Sequence, residues 1–168
     1  SLLRSFAPTD LVAPTPRPTR RSSDLAKQPG RSGERMVPVP DGTPGAQMSE
    51  THFATVARAG QKLAWVSFMP VTGRTHQLRV HAVEALQCPI VGDGKYGGAD
   101  AHPGGEISSA LHLHSRSMDI AHPDGGPLSV EASLPEHMVR TWNLCARDHD
   151  ADGDPSWGLA PCAVVSVR

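Results

Sequence analysis

The sequence predicts an α+β fold, a mixed and largely antiparallel sheet with flanking helices. Two alternating runs, His52-Phe53-Ala54-Thr55-Val56-Ala57 and Leu63-Ala64-Trp65-Val66-Ser67-Phe68, are joined by Arg58-Ala59-Gly60-Gln61 and read as a hairpin. A second pair, Ser117-Met118-Asp119-Ile120 and Leu128-Ser129-Val130-Glu131-Ala132, brackets Asp124-Gly125-Gly126. Between the hairpins, Leu78, Ala82, Ala85 and Leu86 recur at the spacing of one helix face.

The elements divide the chain into three parts. Residues 1–47 carry Pro8, Pro14, Pro16, Pro18, Pro29, Pro38, Pro40 and Pro44 without apolar periodicity, so composition predicts coil or linker. Within them, Pro18-Thr19-Arg20-Arg21-Ser22-Ser23-Asp24-Leu25 resembles the translation of a sequencing-library adapter, an artefact joined to coding sequence near Ala26. The basic cluster Arg17, Arg20 and Arg21 reads as a solvated tail or as an RNA-binding arm. Residues 48–146 form the second part, a folded unit that holds the hairpins and helices. The second strand runs into Pro70 and Gly73, which permit a sharp turn, and a helix over 75–87 follows. Pro89 ends it, and the glycine-bearing run 92–98 reads as a tight surface loop. Ala110-Leu111-His112-Leu113-His114-Ser115 alternates as a half-buried strand. A last helix over 135–145 opens on Pro135 and carries Met138, Val139, Trp142 and Cys145 at helical spacing. Residues 147–168 turn acidic and then weakly apolar, and read as a tail.

Composition bounds the function. At 168 residues the chain is long enough for one domain with a real core. A net charge of −1 argues against a globally basic nucleic-acid binder and leaves room for a local basic face. Cys88, Cys145 and Cys162 are far apart and odd in number, which suggests idle thiols in a reducing cytoplasm rather than a disulfide framework. No run is long and apolar enough to span a membrane. The chain opens on Ser1 without Met, which suggests a fragment.

Metal and nucleophile patterns are weak. The run Asp148-His149-Asp150-Ala151-Asp152-Gly153 starts like a calcium loop, but Leu159 stands where a bidentate Glu belongs, and Pro155 interrupts it. Nine histidines, His112 and His114 among them, show no second pair at zinc-ligand spacing. No GxSxG elbow or P-loop occurs. The reading is therefore no metal and no cofactor.

What remains is Gly73-Arg74-Thr75-His76-Gln77-Leu78-Arg79-Val80-His81. On a helical wheel Arg79 lies at the edge of the apolar stripe, roughly 100° from Leu78, while Gln77, His81 and Glu84 lie on the opposite side. A guanidinium at that margin either has a fixed anionic partner, carboxylate or phosphate, or snorkels into water.

This nonapeptide, followed in order by Pro89-Ile90-Val91-Gly92-Asp93, Lys95-Tyr96-Gly97, Leu113-His114 and His122-Pro123, resembles the C-terminal half of the catalytic domain of RluA-type RNA pseudouridine synthases. The resemblance runs from about Met36 to Asn143. It implies isomerisation of uridine to its C-glycoside in structured ribosomal or transfer RNA, without a cofactor, by a cytoplasmic monomer. It places Arg79 as the arginine that pairs with a catalytic aspartate and Leu113 near the flipped base. It makes Arg74, His76, Gln77 and Lys95 candidate RNA contacts. Two family features are missing. No RLDxxTSG-like segment supplies the aspartate, and no KxYxAxV-like strand supplies a tyrosine, Tyr96 being the only one. The expectation is a truncated synthase, inactive by itself, with a non-catalytic RNA-binding module as the alternative.

Overall fold

Strands β3 (Gln47–Ala59) and β4 (Leu63–Pro70) form the antiparallel pair at the centre of the computed structural model, which describes residues 19–30, 33–59, 61–146 and 162–166. A bulge between Thr55 and Ala57 lets the longer strand bend over the core. Outward on one side lie β1 (Thr19–Gln28) and then β2 (Arg35–Val39). On the other lie β8 (Cys162–Ser166) and then β5 (Leu113–His114), so the six-stranded order is β2-β1-β3-β4-β8-β5. Each pairing in it is antiparallel. Strands β6 (Ser117–Ala121) and β7 (Pro127–Glu131) form a separate two-stranded ribbon.

Two parts of the sheet depart from the composition-based expectation. Residues 19–47 are not coil throughout, because β1 and β2 pair with β3 and with each other. Leu25 explains why β1 is held: it is fully buried with Met36, Val80 and Tyr96. The stretch after residue 146 is not all tail. Ala163, Val164 and Val165 are buried on both faces of the sheet, as a central strand requires. Residues 1–18, with Arg17, and 147–161, with the Asp148–Gly153 pattern, lie outside the described residues.

The first helix is shorter than its periodicity suggested. Helix α1 spans Gln77–Val80 and passes into one π turn, His81–Ala85, closed by the Leu86 N–H donating to the His81 carbonyl at 3.2 Å. Gln87, at φ 55°, then turns the chain before Pro89. The second helix, α2 (Glu136–Ala146), falls where its spacing placed it. Of the alternating run 110–115 only Leu113–His114 is strand. His112 divides its backbone bonds instead, donating to the Val91 carbonyl at 2.8 Å and accepting from Val164 at 3.1 Å.

The core has two main clusters. Phe68, Val66, Ile90, Ala82 and Val165 fill one, with Leu78, Leu111 and Leu113 at its margin. Trp65, Trp142, Met138, Val91 and Val164 fill the other, where the two indoles meet edge to face at 4.9 Å. Among the described residues no helix is long and apolar enough to cross a membrane.

Phe68 is 1% exposed, so Phe68→Ala leaves a cavity that its strand-bound neighbours cannot close. The expected loss is about 3–5 kcal/mol, read as a lower urea midpoint; Val71→Ala at an exposed position serves as the control, with a change under about 0.5 kcal/mol.

Candidate active site

The turn after β4 is built around the Gln77 side chain. Its amide nitrogen donates to the Glu50 carbonyl at 2.8 Å and to Thr51 Oγ1 at 2.9 Å. Its amide oxygen accepts from Thr72 Oγ1 at 2.8 Å and from the Arg74 N–H at 3.0 Å. All four hydrogen-bonding positions of the amide are used, which fixes the turn to β3. Gln77 is thus buried rather than presented outward, and so is His81. The wheel failed for both because the helix is covered on its polar side by hydroxyl-bearing strands. Thr51 Oγ1 lies 2.9 Å from His81 Nδ1, and Ser49 Oγ lies 3.0 Å from Nε2. Ser49 donates its own proton to the Ser23 carbonyl at 2.6 Å, so its oxygen is left to accept from His81 Nε2–H. Burial disfavours the charged form of this imidazole and lowers its pKa from the ordinary 6.5.

Arg79 has its anionic partner within the chain. Its Nε donates to Asp93 Oδ2 at 2.9 Å and its Nη2 to Oδ1 at 2.6 Å, a bidentate pair. The Asp93 side chain is fully buried, and that of Arg79 is 19% exposed. The guanidinium pKa is raised, chiefly by this hydrogen bond. Asp93 Oδ1 also accepts the Tyr96 N–H at 3.1 Å. With both oxygens engaged and no exposure, Asp93 orients the arginine and has no free edge to offer a nucleotide. The partner that the sequence reading sought in an absent aspartate is therefore found, for this part of the guanidinium, in the loop 14 residues on.

That loop is not a plain surface turn. Gly92, at φ 80°, brings the backbone so close to Ala110 that a Cβ would lie 2.1 Å from its carbonyl oxygen. Gly97 packs equally tightly, with a Cβ position 2.4 Å from Pro89. Tyr96 is buried at 6% exposure and stands at the centre of the site. Its hydroxyl accepts the Met36 N–H at 3.2 Å and lies 2.9 Å from His76 Nδ1. The Arg35 and Arg79 guanidiniums lie 4.8 and 5.0 Å from its ring centre, within cation–π range.

Of the residues named from sequence, Arg79 and His76 converge on Tyr96, and Lys95 stands close enough to His76 to act on its charge. Gln77 supports the turn from beneath. Arg74 Nε is tied to the Met48 carbonyl at 3.1 Å, and Lys95 Nζ to the Glu34 carbonyl at 2.8 Å. Leu113 lies at the margin of the Phe68 cluster, on β5. Sequence reasoning missed Asp93, Tyr96 and Arg35 as members of the site. The signal was the acid and the single tyrosine set among glycines in 92–98. Among the described residues no group of three histidine, cysteine or carboxylate side chains could hold a metal ion.

A second buried imidazole lies away from this site. His112 Nε2 is 2.8 Å from Thr141 Oγ1 and its Nδ1 is 2.7 Å from the Ala110 carbonyl. Burial is the main reason its pKa is lowered.

Comparison with known proteins gives the arrangement a context. No family model matches the chain. Ribosomal large subunit pseudouridine synthase C of Rickettsia typhi is 32% identical over 126 residues, covering 74% of this chain and 40% of that protein. An uncharacterized RNA pseudouridine synthase of Zymomonas mobilis is 42% identical over 107 residues, covering 63% and 44%. A mitochondrial RNA pseudouridine synthase of Arabidopsis thaliana is 30% identical, covering 58% and 30%. The chain thus spans about two fifths of the length of the first two.

Two outcomes follow from the site. Asp93→Asn removes the charge that Arg79 is built against, and the expected loss of stability is about 3 kcal/mol by urea unfolding. His81 and His112 bind protons more weakly when folded than when unfolded, where they take them up near 6.5. The stability they contribute is complete above 6.5 and is lost as the pH falls below it. The urea midpoint is expected to drop between about pH 7 and pH 5 for this reason, and His81→Gln with His112→Gln should flatten the slope.

Proposed function

Since the chain belongs to the RluA-type RNA pseudouridine synthases, we propose that it carries the arginine-bearing part of an enzyme that isomerises uridine to pseudouridine in structured RNA. The observation that carries this reading is the Arg79 guanidinium, fixed on one edge by Asp93 and partly exposed. No carboxylate among the described residues occupies its Nη1. A guanidinium held in this way favours an ionised carboxylate brought to its open edge and sets that group's orientation. The reaction breaks the N-glycosidic bond and makes a carbon–carbon glycosidic bond within one nucleotide. It is redox-neutral, and in this reading it proceeds without a metal or organic cofactor.

In this reading the catalytic aspartate comes from residues that this chain does not contain. Asp93 cannot take its place, because both of its oxygens are engaged beneath the arginine. Arg74 and Lys95 contact the phosphate backbone, exchanging the carbonyls of Met48 and Glu34 for phosphate oxygens. Leu113 packs beside the extruded base, and Gln77 acts on RNA only through the turn it fixes. The substrate is ribosomal or transfer RNA, met by a monomer in the cytoplasm. A non-catalytic RNA-binding module would use the same basic face, and full-length synthases and this chain are separated by turnover.

The 168 residues are expected to bind a uridine-containing RNA hairpin and to form no pseudouridine in it. Arg74→Ala and Lys95→Ala should each weaken binding and lower the slope of log affinity against log salt by about 0.7–0.9. Pseudouridine formation by this chain alone, read by chemical mapping of the product RNA, would overturn the proposed division of the site. Salt-independent or absent binding would overturn the RNA reading itself.

A further inference from the structure

His76 precedes α1 with φ 53° and ψ 20°, a left-handed backbone that few side chains adopt without support. The support is Tyr96, whose ring meets the imidazole edge to face at 5.5 Å and whose hydroxyl lies 2.9 Å from Nδ1. The same hydroxyl already accepts the Met36 N–H. A phenol has one proton to donate, and here the acceptor within reach is His76 Nδ1. Were Nδ1 itself protonated, the Tyr96 hydroxyl would face a second donor, and its own hydrogen would have no acceptor among the hydrogen bonds of the described residues. The accounting therefore puts the imidazole proton on Nε2.

Nε2 has no hydrogen-bond partner among the described residues, yet the buried polar side-chain atoms lacking one are Trp65 Nε1 and Ser117 Oγ. Nε2–H therefore reaches the surface. The charged and titratable groups around the ring are Arg79, Lys95, Asp93 and Tyr96, with Arg35 across the tyrosine. Burial first, then the two cations, oppose a charge on the imidazole, and Asp93 works against them. Nearby cations that repel an imidazolium also draw an anion to the same place.

We infer that Tyr96 is a positioning residue that holds His76 as a neutral Nε2–H donor, and that this donor binds a phosphate oxygen of the RNA beside Arg79 and Lys95. The inference rests on the RNA reading of the site for its ligand, but not for the tautomer. It adds an uncharged, directional hydrogen-bond donor to a surface whose other contacts are cations. Such a bond survives at neutral pH because it needs no protonation of the histidine.

The test uses the full 168-residue chain labelled with nitrogen-15 at histidine. Long-range proton–nitrogen spectra near neutral pH distinguish the two neutral tautomers, and His76→Gln assigns the His76 signals by their loss. The expected result is the Nε2–H form in the parent chain and a mixture of the two tautomers in Tyr96→Phe. An Nδ1–H form in the parent chain would overturn the proposal, and so would an unchanged spectrum in Tyr96→Phe. The parent spectrum decides the tautomer even where Tyr96→Phe fails to fold. Binding to the RNA hairpin is then measured for two variants. Gln keeps an N–H near the Nε2 position, and His76→Gln should bind within about threefold of the parent, while His76→Phe should lose about tenfold. Equal affinity of His76→Phe and the parent would overturn the donor role. If the parent chain shows the Nε2–H tautomer yet binds no RNA, the ligand assignment fails together with the function proposed above, and the Tyr96 hydrogen bond alone stands.

Discussion

The Asp93 carboxylate collects three N–H donors at once: Nε and Nη2 of Arg79 and the backbone of Tyr96. An ionised carboxylate with no solvent exposure is tolerated only when its oxygens are filled in this way. Its position is set by the loop that bears it, and the loop by Gly92 and Gly97, which sit where any Cβ would strike backbone or a packed side chain. The arginine inherits this rigidity. A long and flexible cation becomes a group of fixed direction, with one edge spoken for and the other open.

A second rigid support meets the first at α1. Gln77 ties the turn to β3, and His81 ties the next turn to the hydroxyls of Ser49 and Thr51. Between these two buried polar anchors sit Leu78 and Arg79, one packed toward the Phe68 cluster and the other paired with Asp93. Short helices are poorly stable by themselves. This one, four residues of α-helix and a π turn, is held by side-chain bonds to the sheet rather than by its own length. His76 and Arg79 can thus occupy defined places on an element too short to supply them.

Much of this was legible in the residues, and the failures are instructive. The hairpin of β3 and β4, the ribbon of β6 and β7 and helix α2 followed from alternation, turn glycines and helical spacing. Each is a local pattern. The misjudged parts depend on distant partners. β1 and β2 have prolines and poor periodicity, and they are strands because Leu25 and Met36 find Val80 and Tyr96. β8 reads as a weakly apolar end until β4 and β5 receive it. Gln77 and His81 looked outward on a wheel because a wheel assumes one wet face, and here both faces are covered. Arg79 stood at the margin of the apolar stripe, where spacing leaves an anionic partner and open water as alternatives and does not say which acid would come to it.

The place of β8 in the sheet has a kinetic consequence. It is the last described element of the chain, and it separates β4 from β5, which are themselves about 45 residues apart in sequence. Until β8 arrives, β5 lacks its ladder partner, and the Val164 carbonyl that receives the Val91 N–H is missing. Asp93 itself follows Val91 by two residues. During synthesis the arginine's counter-charge is therefore seated only once β8 has been made, well after Asp93 itself.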